Sequence, residues 1–194
     1  MKWNILIINI IFLVTACKKS PPTLASVMTK NEITSSNPAP TINKIQIKGD
    51  YVIIPDFKVE VNLSDLAVNQ LQRNKESIII SLFFYGDVAN EATLSEDLKK
   101  EIGPNGLKLG VFDIEKRKLA KSNEFDIHNI IIPKKLYNAL YNKNIRLNIN
   151  VFSGRRVFKD NILDMESFDS NLSDITSHTN FINLNGRLIN EEKK

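Results

Sequence analysis

Few residues in this chain have the type and spacing to do chemistry. There is one cysteine, Cys17, and there are two histidines, His128 and His178. The sequence contains no G-x-S-x-G, no H-E-x-x-H, no phosphate loop and no glycine-rich dinucleotide turn. His128, in "FDIHNIII", has Asp126 and Asn129 as polar neighbours; it reads as a strand histidine that faces solvent or is satisfied in the core. His178, in "SDITSHTN", reads as solvated in a Ser/Thr-rich loop. A Ser–His–Asp triad can be assembled from such parts on paper, as from most sequences. The expectation is therefore a protein that is not an enzyme and needs no cofactor, with a hydrolase as the enzymatic alternative.

Acidic residues cluster in "DNILDMESFD" as Asp160, Asp164, Glu166 and Asp169. Calcium takes six to eight oxygens, usually from a loop with glycine at its sharp turn. This stretch has no glycine and the wrong spacing for an EF-hand, so no metal site is expected; a solvated acidic edge is the reading. A second polar stretch, Asn90 to Gly106, is long for a hairpin loop and carries Glu91, Glu96 and Asp97. Long loops in compact domains are functional or mobile. These three residues are candidates for partner binding, and plain loop padding fits equally.

Basic residues give a sharper pattern. In "NVFSGRRVFKDNILD", Arg155 and Arg156 follow Gly154 at a strand end, between Phe152 and Phe158. Arginine forks grip carboxylates bidentately and stack on aromatic rings, so Arg155, Arg156 and Phe158 are candidates for protein recognition. The competing reading is structural: one arginine pins the acidic loop after it, through Asp160 or Asp164. A second strand end, "FFYGD" (Phe83 to Asp87), finishes in an aromatic residue and a Gly-Asp turn.

The elements that hold these residues are mainly strands. "FKVEVNL" alternates Phe57, Val59, Val61 and Leu63 with polar residues, and "IRLNINVF" alternates Ile145, Leu147, Ile149 and Val151 with Arg146, Asn148 and Asn150. "SIIISLFFY" (Ser77 to Tyr85) is nearly continuous in apolar residues and predicts a central strand covered on both faces. Further strands are predicted at 44–48, 51–54, 107–114, 125–132 and 180–188. Two short helices are expected. Ser64 caps "DLAVNQLQR", with Asp65 in its first turn. Pro133 takes the first helical position of "PKKLYNALYN", where Leu136 and Leu140 stack four apart. The fold expected is an antiparallel β-sandwich, transthyretin-like or immunoglobulin-like, with two short helices.

Residues 1–16 have the form of an export signal. Lys2 precedes an apolar run from Ile5 to Val14, broken only by Asn9. A run of about ten residues is half of what a membrane-spanning helix needs. Val14-Thr15-Ala16-Cys17 resembles the lipobox of bacterial lipoproteins, which implies cleavage before Cys17 and its acylation. An ordinary secretory signal with an incidental cysteine fits the position and spacing less well. With Cys17 acylated, the head has no cysteine left for a disulfide. Lys18 and Lys19, in place of Asp, resemble the sorting signal for the outer membrane. The domains expected are a signal peptide at 1–16, an acylated cysteine and disordered tether at 17–43, and a β-sandwich at 44–194. Four of the seven prolines fall in that tether, which shows no hydrophobic period. The chain's formal charge is +4, and loss of Lys2 with the leader leaves 25 basic against 22 acidic residues. That balance argues against a nucleic-acid partner.

"IIISLFFYGD", followed about sixty residues later by "LNINVFSGRRVFKDNILD", resembles a group of small Gram-negative envelope lipoproteins. That group is found beside toxic phospholipase effectors of type VI secretion systems, as immunity proteins. The resemblance implies a lipid-anchored protein of the outer membrane, facing the periplasm, whose partner is a secreted toxin, in that pattern a phospholipase effector. It carries no contact residues. Size, anchor and strand content equally resemble the outer-membrane lipoprotein of the type VI secretion envelope complex, whose loops bind an inner-membrane partner. A general envelope lipoprotein is the third reading.

Overall fold

A computed structural model of the chain describes residues 44–191. Cys17, the leader and the expected tether lie outside the described residues. The chain is mainly β, and its sheets are arranged like a sandwich.

The elements come in the order β1 (Gln46–Lys48), β2 (Tyr51–Ile53), β3 (Phe57–Leu63), α1 (Asp65–Arg73), β4 (Ile78–Gly86), α2 (Glu96–Lys99), β5 (Ile102–Gly103) and β6 (Gly106–Lys116). They continue with β7 (Ser122–Ile127), β8 (Ile131–Pro133), α3 (Lys134–Ala139), β9 (Arg146–Ser153), β10 (Leu163–Met165), β11 (Phe168–Asn171), α4 (Leu172–His178) and β12 (Phe181–Leu188). Short 3-10 turns occupy Glu91–Thr93 and Tyr141–Lys143. Three sheets result, ordered β1-β2-β8, β10-β12-β3-β7 and β11-β9-β4-β6-β5.

Alternation explains which side of each strand is buried. Phe57, Val59, Val61 and Leu63 of β3 point inward, as do Ile78, Ile80, Leu82 and Phe84 of β4 and Leu147, Ile149 and Val151 of β9. These residues join one hydrophobic cluster with Ile182 and Leu184 of β12. The three-stranded sheet extends the four-stranded one. β2 and β3, and β8 and β7, are successive pieces of the same antiparallel pair, bent where the chain turns between Ile53 and Phe57 and at Asn129, which has φ +58°.

Several expectations need correction. β12 runs parallel to β3, so the sandwich is not wholly antiparallel. Four helices form among the described residues, not two. α1 begins as expected, with Ser64 Oγ accepting from Ala67 N at 3.1 Å. Pro133 is the N-cap of α3 and not its first residue, because it also ends β8. α2 and α4 were missed because each is short and polar, too brief to show a period. His178 therefore ends a helix instead of lying in a loop, with Nδ1 2.8 Å from the Asp174 carbonyl oxygen. His128 is exposed in the break between β7 and β8, not inside one strand. The acidic stretch is a solvated edge as expected: Asp160, Asp164, Glu166 and Asp169 are exposed, and the stretch carries the edge strands β10 and β11.

Candidate functional site

β4 was expected to be covered on both faces, and it is covered on one. Ile78, Ile80, Leu82 and Phe84 are buried, while Ile79, Ser81 and Phe83 are only half-buried on the opposite face. Register shows what accompanies them there. Ile79 lies opposite Phe152 of β9 and Glu115 of β6; Ser81 lies opposite Asn150 and Asp113; Phe83 lies opposite Asn148 and Val111. Val111 is 51% exposed. The outer face of the five-stranded sheet is thus open to solvent, a strip with two apolar groups, Ile79 with Phe152 and Phe83 with Val111, separated by the polar row of Ser81, Asn150 and Asp113.

Both ends of this strip finish in an arginine stacked on an aromatic ring. At the start of β9 the Arg146 guanidinium lies 5.5 Å over the Tyr85 ring, and Tyr85 stacks on Phe83 at 5.1 Å. At the end of β9 the Arg155 guanidinium lies 5.6 Å over the Phe152 ring. The two ends are about 20 Å apart along β4 at the usual strand rise.

The Tyr85 end is tied by charge. Asp169 of β11 accepts from the Tyr85 hydroxyl at 2.6 Å and from Arg146 Nη2 at 2.6 Å. Burial, then the bond to Asp169, pushes the Tyr85 hydroxyl up to about 12, so it stays protonated and donating. Burial pushes the Asp169 carboxyl up, but its bonds from Tyr85 and Arg146 outweigh that and hold it below the usual range.

The Arg155 end is built on a residue that the sequence reading overlooked. Glu76 sits just before β4, is only 2% exposed, and accepts the backbone N–H groups of Ser77, Arg156, Val157 and Phe158 at 2.9–3.3 Å. Arg155, with φ +54°, turns the chain so that the three N–H groups after it converge on the carboxylate, a backbone nest. Gly154 is required beside it, since a Cβ there would lie 1.9 Å from Ser77 Oγ. The loop backbone is fixed, while Arg155, Arg156 and Val157 are exposed and Phe158 is half-buried.

This geometry divides the paired arginines by role. Arg156 Nη1 donates to Glu115 Oε1 at 2.9 Å, and Ser77 Oγ donates to the same oxygen at 2.7 Å. Those two bonds, Ser77 first, hold the Glu115 carboxyl down at about 2. Arg156 therefore pins the loop to β6 and not to Asp160 or Asp164; Asp164 pairs with Arg187 at 2.9 Å instead. Arg155 makes only the aromatic stack among the contacts described. Arg156→Ala is expected to cost about 0.5–1 kcal/mol, as for a partly exposed pair, and Arg155→Ala less than about 0.5 kcal/mol. Urea unfolding of the two variants checks this; equal losses would refute the division.

The other candidates lie elsewhere. Glu91, Glu96 and Asp97 occupy the connection leaving the Gly86 end of β4, the opposite end from Arg155, Arg156 and Phe158. The structure does not bring the two groups together. Asp97 accepts from Ser95 Oγ and from Lys135 Nζ of α3 at 3.0 Å, and these bonds hold its carboxyl down at about 2. It joins α2 to α3. Glu96 pairs with Lys99 at 2.7 Å and remains exposed, as does Glu91.

No family model, curated protein or solved structure matches this chain. The site must be read from its own geometry.

Other features compete poorly with the strip. A groove of about 860 Å³ between β10, β12 and the turn into β11 is lined by groups that satisfy one another: Asp164 with Arg187, Glu166 with Asn185, and Glu191 with Ser64. Among the described residues no cluster of three or more His, Cys, Asp or Glu side chains has the layout to hold a metal ion. Among them, too, no helix is long and apolar enough to cross a membrane.

The outer strip had a signal in the sequence. "IRLNINVF" places Arg146, Asn148 and Asn150 on one face, and "SIIISLFFY" places Ser81 in the middle of its own run. If the two strands are neighbours, the shared face is open to solvent. The buried Glu76 had no comparable signal, since its partners are backbone groups eighty residues on.

Proposed function

We propose that this chain is an outer-membrane-anchored periplasmic lipoprotein that binds and neutralises a secreted toxic effector, and that it docks the effector on the outer strip of the five-stranded sheet. The observation that carries the binding half is that strip: Ile79, Phe83, Val111 and Phe152, with an arginine stacked at each end. Aromatic residues and arginine on a rigid, partly desolvated platform are the side chains that dominate protein interfaces. The loop held by Glu76 adds preorganisation, because its ordering entropy is lost in folding and not on binding. The anchor rests on the sequence at Cys17. The kind of partner, a phospholipase effector, rests on the resemblance of the two β-strand stretches.

Co-expression with a periplasm-directed phospholipase effector tests the proposal. The wild-type chain should rescue growth and co-purify with the effector. Val111→Arg, a surface change beside Phe83 on the strip, should weaken binding by about 2–4 kcal/mol, roughly 30- to 800-fold, with little change in Tm. Absence of both rescue and binding would end the immunity reading, and binding indifferent to Val111→Arg would move the interface elsewhere. Recovery of envelope-complex subunits in place of a toxin would favour the structural lipoprotein of a type VI secretion complex.

A further inference from the structure

We infer that the outer face of the three-stranded sheet is a second interaction surface, one that seats on an anionic lipid leaflet. Register divides β2 and β8 into two faces, while β1 is exposed throughout, Ile47 opposite Val52 included. Val52 and Ile132 are paired and fully buried on the inner side. Tyr51 and Ile53 face outward with their partners Pro133 and Ile131. Tyr51 is 43% exposed and Ile131 47% exposed, although nothing in their strands requires an apolar residue on a solvated face. About half of each residue is left open to solvent.

Charge and chain connection say what covers this face. Lys48 lies opposite Tyr51 on the same side, and Lys44 stands just before β1. From Ile127 to Lys159 the sequence has no acidic residue; Lys134 follows β8 directly, Lys135 is paired with Asp97, and Asp50 in the turn before β2 is the one acid beside these lysines on this sheet. An apolar patch with an interfacial tyrosine and a lysine border suits a headgroup boundary, where each nearby lysine adds attraction to anionic lipid. The chain outside the described residues enters at Lys44, beside this sheet, with 26 residues between it and Cys17. With the acyl anchor of the proposed function, on which this inference rests, the chain between Cys17 and Lys44 ties this sheet to the bilayer. The face is then held near the membrane, where weak intrinsic affinity suffices. The head would lie against the leaflet by this sheet, leaving the strip on the five-stranded sheet for the protein partner.

The test uses the unacylated mature chain, residues 18–194, sedimented with vesicles of equimolar phosphatidylglycerol and phosphatidylcholine or of phosphatidylcholine alone. Binding to the anionic vesicles only, reversed by salt, is expected. Tyr51→Ser combined with Ile131→Ser, both at exposed positions, should lower the partition coefficient at least about fivefold while Tm and effector binding are retained. No binding to anionic vesicles, or equal binding by the double variant, would overturn the inference. So would a dimer in sedimentation equilibrium that the double variant abolishes, since a second copy would then cover the face. Effector binding is read separately, so failure here leaves the strip untouched. Failure of the strip likewise leaves the vesicle result standing.

Discussion

Glu76→Gln should lower the unfolding free energy of the described domain by about 3 kcal/mol at neutral pH, the loss expected for one to two hydrogen bonds to a buried charge. The carboxylate is almost fully buried, and its two oxygens accept four backbone N–H groups. A glutamine replaces one oxygen with an NH2 group, which then faces donors it cannot accept. The loop from Gly154 to Phe158 would lose its fixed point and Arg156 its alignment with Glu115. Acid should mimic the substitution. Burial pushes the Glu76 carboxyl up, but the four N–H bonds outweigh it and the group is held below its ordinary value of 4.5. Glu115 is held down at about 2. A carboxylate depressed in the folded state contributes stability that is fully present above its unfolded pKa and is lost as pH falls through the folded one. The wild-type domain should therefore lose stability from about pH 4.5 downward towards 2, and the Glu76→Gln variant should lose less over the same window. Urea unfolding across that range reads both effects. A variant as stable as wild type at neutral pH would mean that the carboxylate does not hold the loop.

Gly86→Ala should be comparably damaging at the other end of the strip, by about 2–4 kcal/mol. A Cβ at Gly86 would lie 2.6 Å from the Asn144 carbonyl oxygen and 2.8 Å from Leu140 Cδ2. The backbone it would strike cannot easily withdraw. Leu140 is buried and bridges Val88, Tyr141 N donates to the Asp87 carbonyl at 2.8 Å, and Asn142 and Lys143 both have positive φ. The expected result is a lower urea midpoint with an unchanged m-value. An unchanged midpoint would show that the 140–144 turn is not pressed against the end of β4.

The two variants also measure how far the sequence could be read. β3, α1 and β9 were legible because alternation or a cap signal lies within a few neighbouring residues. Gly86 was visible only as part of a Gly-Asp turn; its close approach to Asn144 depends on a segment far along the chain. Glu76 was silent, because an acid before an apolar run looks like a solvated boundary until the loop after β9 folds over it. The same distinction applies to the recognition candidates. Arg155 and Arg156 are adjacent in sequence with identical chemistry, and only Glu115, brought in by the β4–β6 pairing, separates their roles. The outer strip was half legible: each strand showed its pattern, but the face they share required knowing that β9, β4 and β6 are neighbours.

β12 lies between β10 and β3, so the last strand fills the middle of its sheet. The bond between Asn62 and Asn183 spans 121 positions of chain. Contacts of such separation are formed late, because loop-closure entropy must be overcome first. A ribosome releasing this chain from its amino terminus leaves β3 with one edge unpaired until β12 has emerged, so this sheet cannot close before then.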